Sequence, residues 1–343
     1  MLRTLLTHLR CPLSKGLLRI EIIDGKDHIR TGILYADCGM VYPVIDGIPR
    51  LLLESFIDNE FMLARHIPGF AERKIQLMTT FGQQIRVAQE RNRLSKKSFS
   101  LEWRLLENND HIKVWQTDES SYKKQLYDEL NISEPDLHGK KVIDIGCGHG
   151  RTSALLARHA ELVIGMDLGS SVVHVGQKNK QDHCHFIQAD LHHLPFDPAY
   201  FDLVYSSGVI HHTENTENAF VSISGLVNKG GVLCVWLYQP YKNLVHQVML
   251  ALRKITIHLP LQLQFWLYLI FLVPVHKLVS LFKGHKIHWR EIMINHLDML
   301  SPQFRFEHTP GEVMEWYSKN HFGQVKTTTR NKIGFSIIGV KEV

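Results

Sequence analysis

Residues 140–150 read Lys-Lys-Val-Ile-Asp-Ile-Gly-Cys-Gly-His-Gly. The apolar run at 141–145 predicts a short buried strand, and the glycines after it predict a tight loop that opens a helix over 151–160. A loop at that position lets backbone amides approach an anionic ligand group closely. A short Gly-x-Gly-x-Gly is weak evidence by itself, because glycine is also the ordinary turn residue.

Four further strand-like segments follow this loop, at residues 162–167, 185–190, 201–207 and 231–237. Strands that alternate with helices predict an α/β fold with a doubly wound, largely parallel sheet. Ligands of such sheets bind beyond the carboxyl ends of the strands. We therefore expect a binding site at that edge, built from residues of about 144 to 207.

Three aspartates, Asp144, Asp167 and Asp190, recur at the ends of these strands. Asp167 stands 21 residues after Gly146, close to the spacing of about 20 that places a carboxylate on ribose hydroxyls. Asp190 could accept a hydrogen bond from an adenine amino group, and Asp144 lies beside the glycine loop, where it suits a cationic amino group. Together the three acids predict a site for an adenosyl ligand.

A nicotinamide dinucleotide would use similar features, so the two cofactor classes must be separated. The dinucleotide fingerprint places glycine or alanine three residues after its second glycine, to seat the pyrophosphate. Arg151 occupies that position here, and its bulk would crowd the helix–strand contact. The sequence therefore favours a cofactor that has no pyrophosphate.

These residues resemble the class I methyltransferases that use S-adenosylmethionine, over roughly residues 138–240. The matching segments are 142–150, 165–168, 188–191, 194–196, 201–204 and 208–212. The resemblance implies a Rossmann-like core, S-adenosylmethionine as cofactor, and a role for Asp167 at the ribose, Asp190 at the adenine and residues 146–148 at the methionine portion. The predicted cofactor-binding residues are Asp144, Gly146, Cys147, Gly148, Asp167, Leu168, Asp190, Leu191 and Ser207. One departure is Asn228-Lys229 before the paired glycines, where the family usually has proline.

A methyltransferase of this kind must mainly align its acceptor for in-line attack on the sulfonium methyl and exclude water. A general base is needed only if the acceptor binds in its protonated form. His211 and His212 follow the fourth strand, and His211 could take a proton or simply shape the pocket. Tyr205 and Tyr238 are similarly placed, and the sequence assigns no catalytic residue.

The first block, residues 1–56, is predicted to be a small α+β domain with strands at 20–23 and 31–35 and a turn-rich stretch at 42–49. Residues 8–53 resemble the zinc-ribbon-like activators of the Trm112-like family, on the matching text Cys11-Pro12-Leu13-Ser14, Tyr42-Pro43 and Asp46-Gly47-Ile48-Pro49. Structural zinc needs four ligands. Cys11 and Cys38 are present, but Ser14 and Tyr35 stand at the other two positions, so a degenerate domain without metal is expected.

The remaining regions are predicted from pattern. Residues 57–137 form a helical linker region, 138–240 the cofactor-binding core, 241–300 an apolar helical insert, and 301–343 a closing helix (308–322) and strand (332–340).

Residues 255–276 of the insert contain no Lys, Arg, Asp or Glu, and Pro260 and Pro274 bracket its apolar core. We expect this core to be too short to span a bilayer. The alternatives are a buried helix pair, or a lid that accepts a hydrophobic or lipid-linked substrate or rests on a membrane. The flanking basic residues, which favour peripheral membrane contact, are Lys242, Arg253, Lys254, Lys277 and Lys283.

Composition bounds the function. A net charge of +5 without a dense basic block makes a nucleic-acid partner less favoured. The five cysteines are odd in number and not tightly spaced, which argues against a disulfide framework and suits a reducing compartment. The first residues lack the uninterrupted apolar core of a secretory signal, so a cytoplasmic location is expected. The leading hypothesis is methyl transfer to a small-molecule or lipid-like acceptor. Methylation of tRNA or rRNA, suggested by the first block, and a non-catalytic cofactor-binding protein are the alternatives.

Overall fold

The structure is a computed structural model that describes residues 1–106, 118–178, 181–241 and 243–342. Lys242, one of the basic residues predicted to flank the insert, lies outside the described residues.

The strands of the described residues form a single mixed sheet of eleven strands, in the order β1-β2-β3-β4-β7-β6-β5-β8-β9-β11-β10. In chain order they are β1 Leu18–Asp24, β2 Thr31–Ala36, β3 Val41–Ile45, β4 Ile48–Leu51, β5 Lys141–Ile145, β6 Leu162–Asp167, β7 Cys184–Ala189, β8 Phe201–Ser207, β9 Val227–Tyr238, β10 Phe322–Arg330 and β11 Gly334–Lys341.

Thirteen α-helices occur in the described ranges, and three short segments supplement them: 3-10 turns at Glu134–Leu137 and Ile210–His212 and a π-helical turn at Tyr268–Leu272. The α-helices are α1 Arg3–His8, α2 Ser55–Asp58, α3 Glu60–His66, α4 Phe70–Arg104, α5 Glu119–Leu130, α6 Arg151–Leu156, α7 Val172–Lys178, α8 Thr216–Ser224, α9 Leu244–Thr256, α10 Leu261–Leu267, α11 Val273–Phe282, α12 Trp289–Leu300 and α13 Pro310–Lys319.

The predicted doubly wound α/β fold is confirmed. The six strands from β4 through β9 pair in parallel, and β11 and β10 close the sheet in antiparallel fashion. Every residue of β6 and β7 is buried, as expected for parallel strands covered on both faces. This arrangement brings the carboxyl ends of β5, β6, β7 and β8 to one edge.

The first 56 residues extend this sheet. β4 pairs in parallel with β7, with Arg50 opposite Gln188 and Leu51 opposite Ala189. The Lys15 ammonium also donates to the Leu194 carbonyl at 2.7 Å. Backbone pairing and side-chain contacts therefore join this block to the core.

The predicted turn-rich stretch at 42–49 is wrong, because these residues form the hairpin of β3 and β4. Only its centre is a turn: Asp46 and Gly47 have φ of +53° and +78°. Two central residues with positive φ suit the twist of a two-residue hairpin, and Asp-Gly is a favoured pair there.

At the C-terminal end the predicted helix and closing strand are confirmed as α13 and β11, and Phe335 and Ile337 of β11 are buried. Strand β10, which lies between them in the chain, was not predicted. Its residues are mostly polar and half-exposed, because β10 is an edge strand with one face in solvent.

The insert differs from both structural expectations made for it. Helix continues without a break from Leu261 to Phe282, a 22-residue segment of mean hydropathy 1.8 that is long and apolar enough to cross a membrane by length and composition. Pro274 does not end the helix, because it lies in the first turn of α11 just after the π-helical turn. Only 17% of the apolar window is buried, which excludes the buried helix pair. The length of 22 residues corrects the expectation that the apolar core is too short to span a bilayer.

Candidate functional site

A cavity of about 960 Å³ opens at the carboxyl ends of the parallel strands. Eight of the nine predicted cofactor residues line it: Asp144, Gly146, Cys147, Asp167, Leu168, Asp190, Leu191 and Ser207. The ninth, Gly148, lies against the Trp103 ring, and its amide hydrogen-bonds the carboxylate of Asp167. The structure thus brings the whole predicted set together, while their role toward a cofactor is a proposal.

The glycine loop is held close to its neighbours. Gly146 has φ +75°, and a Cβ on it would lie 2.2 Å from a methyl carbon of Val209. Gly148 has φ +52°, and a Cβ on it would lie 2.7 Å from the Trp103 ring. Both positions therefore need glycine for conformation and for space. Cys147 between them is buried, and burial raises the pKa of its thiol well above the usual value, so it acts as a packing residue.

The Asp167 carboxylate is fixed by two backbone amides. Its Oδ2 accepts from Gly148 N at 2.9 Å, and its Oδ1 accepts from Gly169 N at 2.7 Å. Burial raises the pKa of this carboxyl, and the two hydrogen bonds oppose that shift. A carboxylate has about four acceptor positions, so Asp167 can still accept from two neighbouring hydroxyl groups.

The Asp144 carboxyl lies deeper. Its Oδ2 accepts from the Ser153 hydroxyl at 2.6 Å. Burial, with the charge of Asp167, raises the pKa of Asp144 to about 7, although the Ser153 hydrogen bond acts against the shift. A cationic group bound beside it would stabilise its ionised form.

The Asp190 carboxylate is already well supplied with donors. Its Oδ2 accepts from Arg91 Nη2 at 2.7 Å and from Asn92 Nδ2 at 2.8 Å, and its Oδ1 accepts from His192 N at 2.9 Å. Burial alone would raise the pKa of Asp190, but His192, Arg91 and Asn92 together hold it below its usual value. A ligand amino group would therefore share the Asp190 carboxylate with Arg91 and Asn92 of α4.

The α4 helix forms a wall of the cavity that the sequence did not reveal. Its Trp103 ring stacks on His149, with centroids 5.0 Å apart and an interplanar angle of 16°. Burial, with the Arg151 charge, lowers the pKa of His149 to about 4, so the stacked imidazole is neutral at pH 7. Aromatic side chains beside the glycine loop supply an apolar surface against which a planar base can pack.

Glu102 on the same wall is fully buried, and its Oε2 has no hydrogen-bond partner among the described residues. Burial, followed by the charges of Asp298 and Asp167, raises the pKa of Glu102 well above its usual value. A buried carboxyl without a partner costs free energy unless a ligand meets it. No sequence signal marks Glu102, because its role depends on the helix crossing the site.

A second polar group in the lining of the cavity is centred on Asp298. The Tyr238 hydroxyl donates to its carboxylate, and His212 Nε2 lies 3.6 Å from Asp298 Oδ1, slightly beyond hydrogen-bond distance. The Arg305 guanidinium stacks 4.3 Å from the centroid of the Tyr238 ring. Burial would raise the pKa of Asp298, but His212, Tyr238 and Arg305 lower it, so Asp298 is ionised.

His212, rather than His211, borders the cavity. The Nδ1 atom of His212 lies 2.9 Å from the Phe304 carbonyl oxygen, which orients the ring. His211 is fully buried outside the lining, and burial with neighbouring positive groups lowers its pKa well below the usual value. Tyr205 is also unavailable, since its hydroxyl donates to Glu129 Oε2 at 2.7 Å.

The N-terminal block offers two thiols and a phenol. Cys11 Sγ lies 3.8 Å from Cys38 Sγ and 3.3 Å from the Tyr42 hydroxyl. Within the described part of the chain, no group of three or more His, Cys, Asp or Glu side chains could hold a metal ion. The Trm112-like resemblance of this block stays a prediction.

Comparison with known proteins finds a family model that matches part of the core. Residues 143–235 match the family model described as a methyltransferase domain. An uncharacterised methyltransferase of Mycobacterium bovis is 34% identical over 110 residues, which cover 32% of this chain and 56% of that protein. A ubiquinone biosynthesis O-methyltransferase of Coxiella burnetii is 29% identical over 100 residues, covering 28% of this chain and 43% of that protein. The chain thus spans about half the length of the curated relatives it matches.

Among solved structures, magnesium protoporphyrin IX methyltransferase of Synechocystis with bound SAH aligns with a TM-score of 0.44 and 17% identity. The alignment covers 73% of this chain and all of that one. The segment that matches the methyltransferase domain contains most of strands β5 to β9 and all nine predicted cofactor-binding residues.

Proposed function

We propose that this chain is an S-adenosylmethionine-dependent methyltransferase that acts on a small-molecule or lipid-like acceptor. The observation that carries the proposal is the convergence of residues from four strand ends on one cavity, within the segment that matches a methyltransferase domain. Its volume of about 960 Å³ lies at the upper end of the range of small-molecule sites, about 300 to 1,000 Å³.

The residues present fit S-adenosylmethionine, which supplies a methyl group already activated on a sulfonium. The close-packed glycine loop leaves backbone for the methionine portion, and the Asp167 carboxylate retains acceptor positions for the ribose hydroxyls. Asp144 suits the cationic amino group, and the Trp103–His149 stack borders the site on its apolar side. The unpartnered Oε2 of Glu102 provides a further polar group that a ligand can satisfy.

We assign the acceptor side to His212 and Asp298. The His212 ring lies next to the ionised Asp298, so the pair can hold a proton released by an acceptor hydroxyl. The Phe304 carbonyl fixes the ring, and Tyr238 and Arg305 fix the carboxylate. These residues position the acceptor and take its proton, while the walls of the cavity exclude water.

The charge of the cavity weighs against RNA as the acceptor. Eight carboxyl residues line the cavity, against Arg91, Lys283 and Arg305. The eight are Glu102, Glu129, Asp144, Asp167, Asp190, Glu214, Glu291 and Asp298. A polyanion binds through Lys and Arg contacts to its phosphates, and this lining offers few of them. A cytoplasmic location and peripheral membrane contact through residues 255–276 remain predictions.

Two measurements test the proposal. Calorimetry with S-adenosylhomocysteine should show binding, and incubation with methyl-labelled cofactor and cell extract should place the label in lipid or small metabolites. Label in RNA would replace the acceptor class. Cofactor binding without any transfer would support the non-catalytic alternative, and absence of binding would remove the enzyme assignment.

His212→Gln separates catalysis from binding. We expect the rate of label transfer to fall by about 100-fold, a typical contribution of a general base, with S-adenosylhomocysteine affinity unchanged. An unchanged rate would remove His212 from the reaction.

A further inference from the structure

The insert presents large apolar side chains to solvent. We define its outward surface as the exposed side of α9 together with that of the continuous helix Leu261–Phe282. Val245, Trp266, Ile270, Phe271, Leu278 and Phe282 are between 56% and 86% exposed on it. Soluble monomers rarely expose large apolar patches unless a partner covers them. We therefore expect a partner to cover the outward surface of the insert.

The opposite side of the same helix is fixed to the protein. Tyr268 and Val273 are buried and belong to one apolar cluster with Ile292 and Leu297 of α12. A helix that packs on its own domain along one side and is apolar on the other is suited to lie in the plane of a membrane interface. A span across the bilayer would have to give up the α12 contacts.

The charge of the insert matches an anionic lipid surface. Residues 241–290 contain seven Lys and Arg and no Asp or Glu. Since the whole chain carries +5, removing this +7 leaves −2 for the rest. Lys254, Lys277 and Lys286 are exposed beside the apolar side chains. Basic residues near an apolar helix face bind the headgroups of anionic lipids.

We propose that the outward surface of the insert docks on an anionic membrane, with the cavity opening toward the bilayer. Val245 on this surface and Lys283, the exposed residue that follows its helix, also line the cavity, so the mouth lies at the docking surface. An apolar acceptor then enters from the lipid without crossing water; this second step rests on the proposed function.

Vesicle sedimentation of the full chain tests the docking. We expect binding to vesicles of phosphatidylcholine and phosphatidylglycerol in a 7:3 ratio, weaker binding to phosphatidylcholine alone, and release by alkaline carbonate. Phe271→Ser with Phe282→Ser should lower the partition coefficient at least tenfold. Phe61→Ser is the matched control, because Phe61 on α3 is as exposed as Phe282, both at 86%.

Charge reversal tests the second half of the surface. Lys254→Glu with Lys277→Glu should lower the partition coefficient on anionic vesicles about tenfold and leave binding to neutral vesicles unchanged. Lys26→Glu, in the turn after β1, should change neither. Quenching by brominated lipid should report Trp266 directly, as a component of the fluorescence that Trp266→Phe removes.

Several results would overturn the proposal. The first two are a wild type that does not sediment with vesicles, and a Phe61→Ser variant whose partition coefficient falls as far as that of the double variant. A third is protein that stays on the vesicles after alkaline carbonate, which indicates a membrane span. The fourth is a dimer that does not bind vesicles and that Phe282→Ser dissociates. S-adenosylhomocysteine calorimetry on the same proteins separates the two proposals. Vesicle binding without cofactor binding would reject the proposed function alone, and the reverse would reject the docking alone.

Discussion

The carboxyl edge of the sheet and the apolar insert both contain side chains in unfavourable surroundings. The sheet edge buries carboxyl groups, and the insert exposes apolar side chains to water. At the sheet edge, Asp144, Asp167 and Glu102 are buried carboxyls, and burial raises the pKa of each of them. In the insert, Ile270 and Phe282 are exposed apolar side chains. Buried charge and exposed hydrocarbon both cost free energy. The two regions therefore differ in kind, and under our two proposals they serve different ligands, a polar cofactor in an enclosed cavity and a membrane surface.

Asp167→Ala should have the greatest effect of the variants, and it tests whether the sheet edge binds the cofactor. Loss of the carboxylate removes the predicted ribose acceptor, and we expect the Kd for S-adenosylhomocysteine to rise at least about 100-fold, near 3 kcal/mol. Isothermal titration calorimetry measures it. Asp202→Ala is the control, because Asp202 also accepts from a backbone amide, Lys141 N at 2.8 Å, at the opposite edge of the sheet. Equal affinities in both variants would contradict the site.

The glycine loop offers the next largest effect. Gly146→Ala should lower the free energy of unfolding by about 2 to 3 kcal/mol, from the strain of positive φ and from overlap with Val209. Gly139→Ala shares the positive φ, +68°, but meets nothing within 4 Å, so only the strain, about 1 kcal/mol, should remain. Urea unfolding compares them. If Val209→Ala failed to rescue Gly146→Ala, steric overlap would not be the cause.

Much of the sheet edge could be predicted from sequence because its determinants are local. The apolar run, glycines and terminal acid of each strand follow one another in the chain, so the positions of Asp144, Asp167 and Asp190 required only the strand order. The walls of the cavity could not be predicted. Glu102 precedes Asp144, the nearest predicted site residue, by 42 positions in the chain, and Asp298 follows Ser207 by 91. The two carboxyls reach the cavity only because α4 and α12 cross the site, which no spacing encodes.

The exposed surface of the insert could not be predicted from sequence either. Its composition predicted apolar helices, but helices buried in a core and helices at an interface have the same composition. Only the packing on α12 shows which side chains remain exposed. The continuity through Pro274 was also missed, because a proline after a π-helical turn does not break the helix as an interior proline does.

The inner side of the insert can be tested by pH. His296 on α12 lies 3.4 Å from His276 on α11, nitrogen to nitrogen. Burial, with the His276 charge, lowers the pKa of His296 from 6.5 to about 4. Stability from the neutral ring is therefore complete above about pH 6.5 and is lost as the pH falls toward 4. Between pH 7 and pH 5 the wild type should lose about 2 kcal/mol more than His296→Gln.

Urea unfolding of both proteins at the two pH values measures this difference. Other titrating groups, Asp144 among them, are common to both proteins and cancel in the comparison. His285→Gln, at an exposed position between α11 and α12, is the control and should retain the wild-type loss. Equal acid sensitivity in His296→Gln and the wild type would show that this contact does not anchor the insert.

The smallest expected effect is the sharpest test of the outward surface. Ile270→Ala should change the free energy of unfolding by less than about 0.5 kcal/mol, because Ile270 is 58% exposed and surface substitutions rarely cost more. Ile294→Ala, the same change at a fully buried position on α12, should cost about 2 to 5 kcal/mol. A large loss in Ile270→Ala would mean that its side chain is covered in solution, by a second copy or by closure of the insert. A small loss, with lower vesicle binding, would mean that the apolar surface contributes to docking and little to folding.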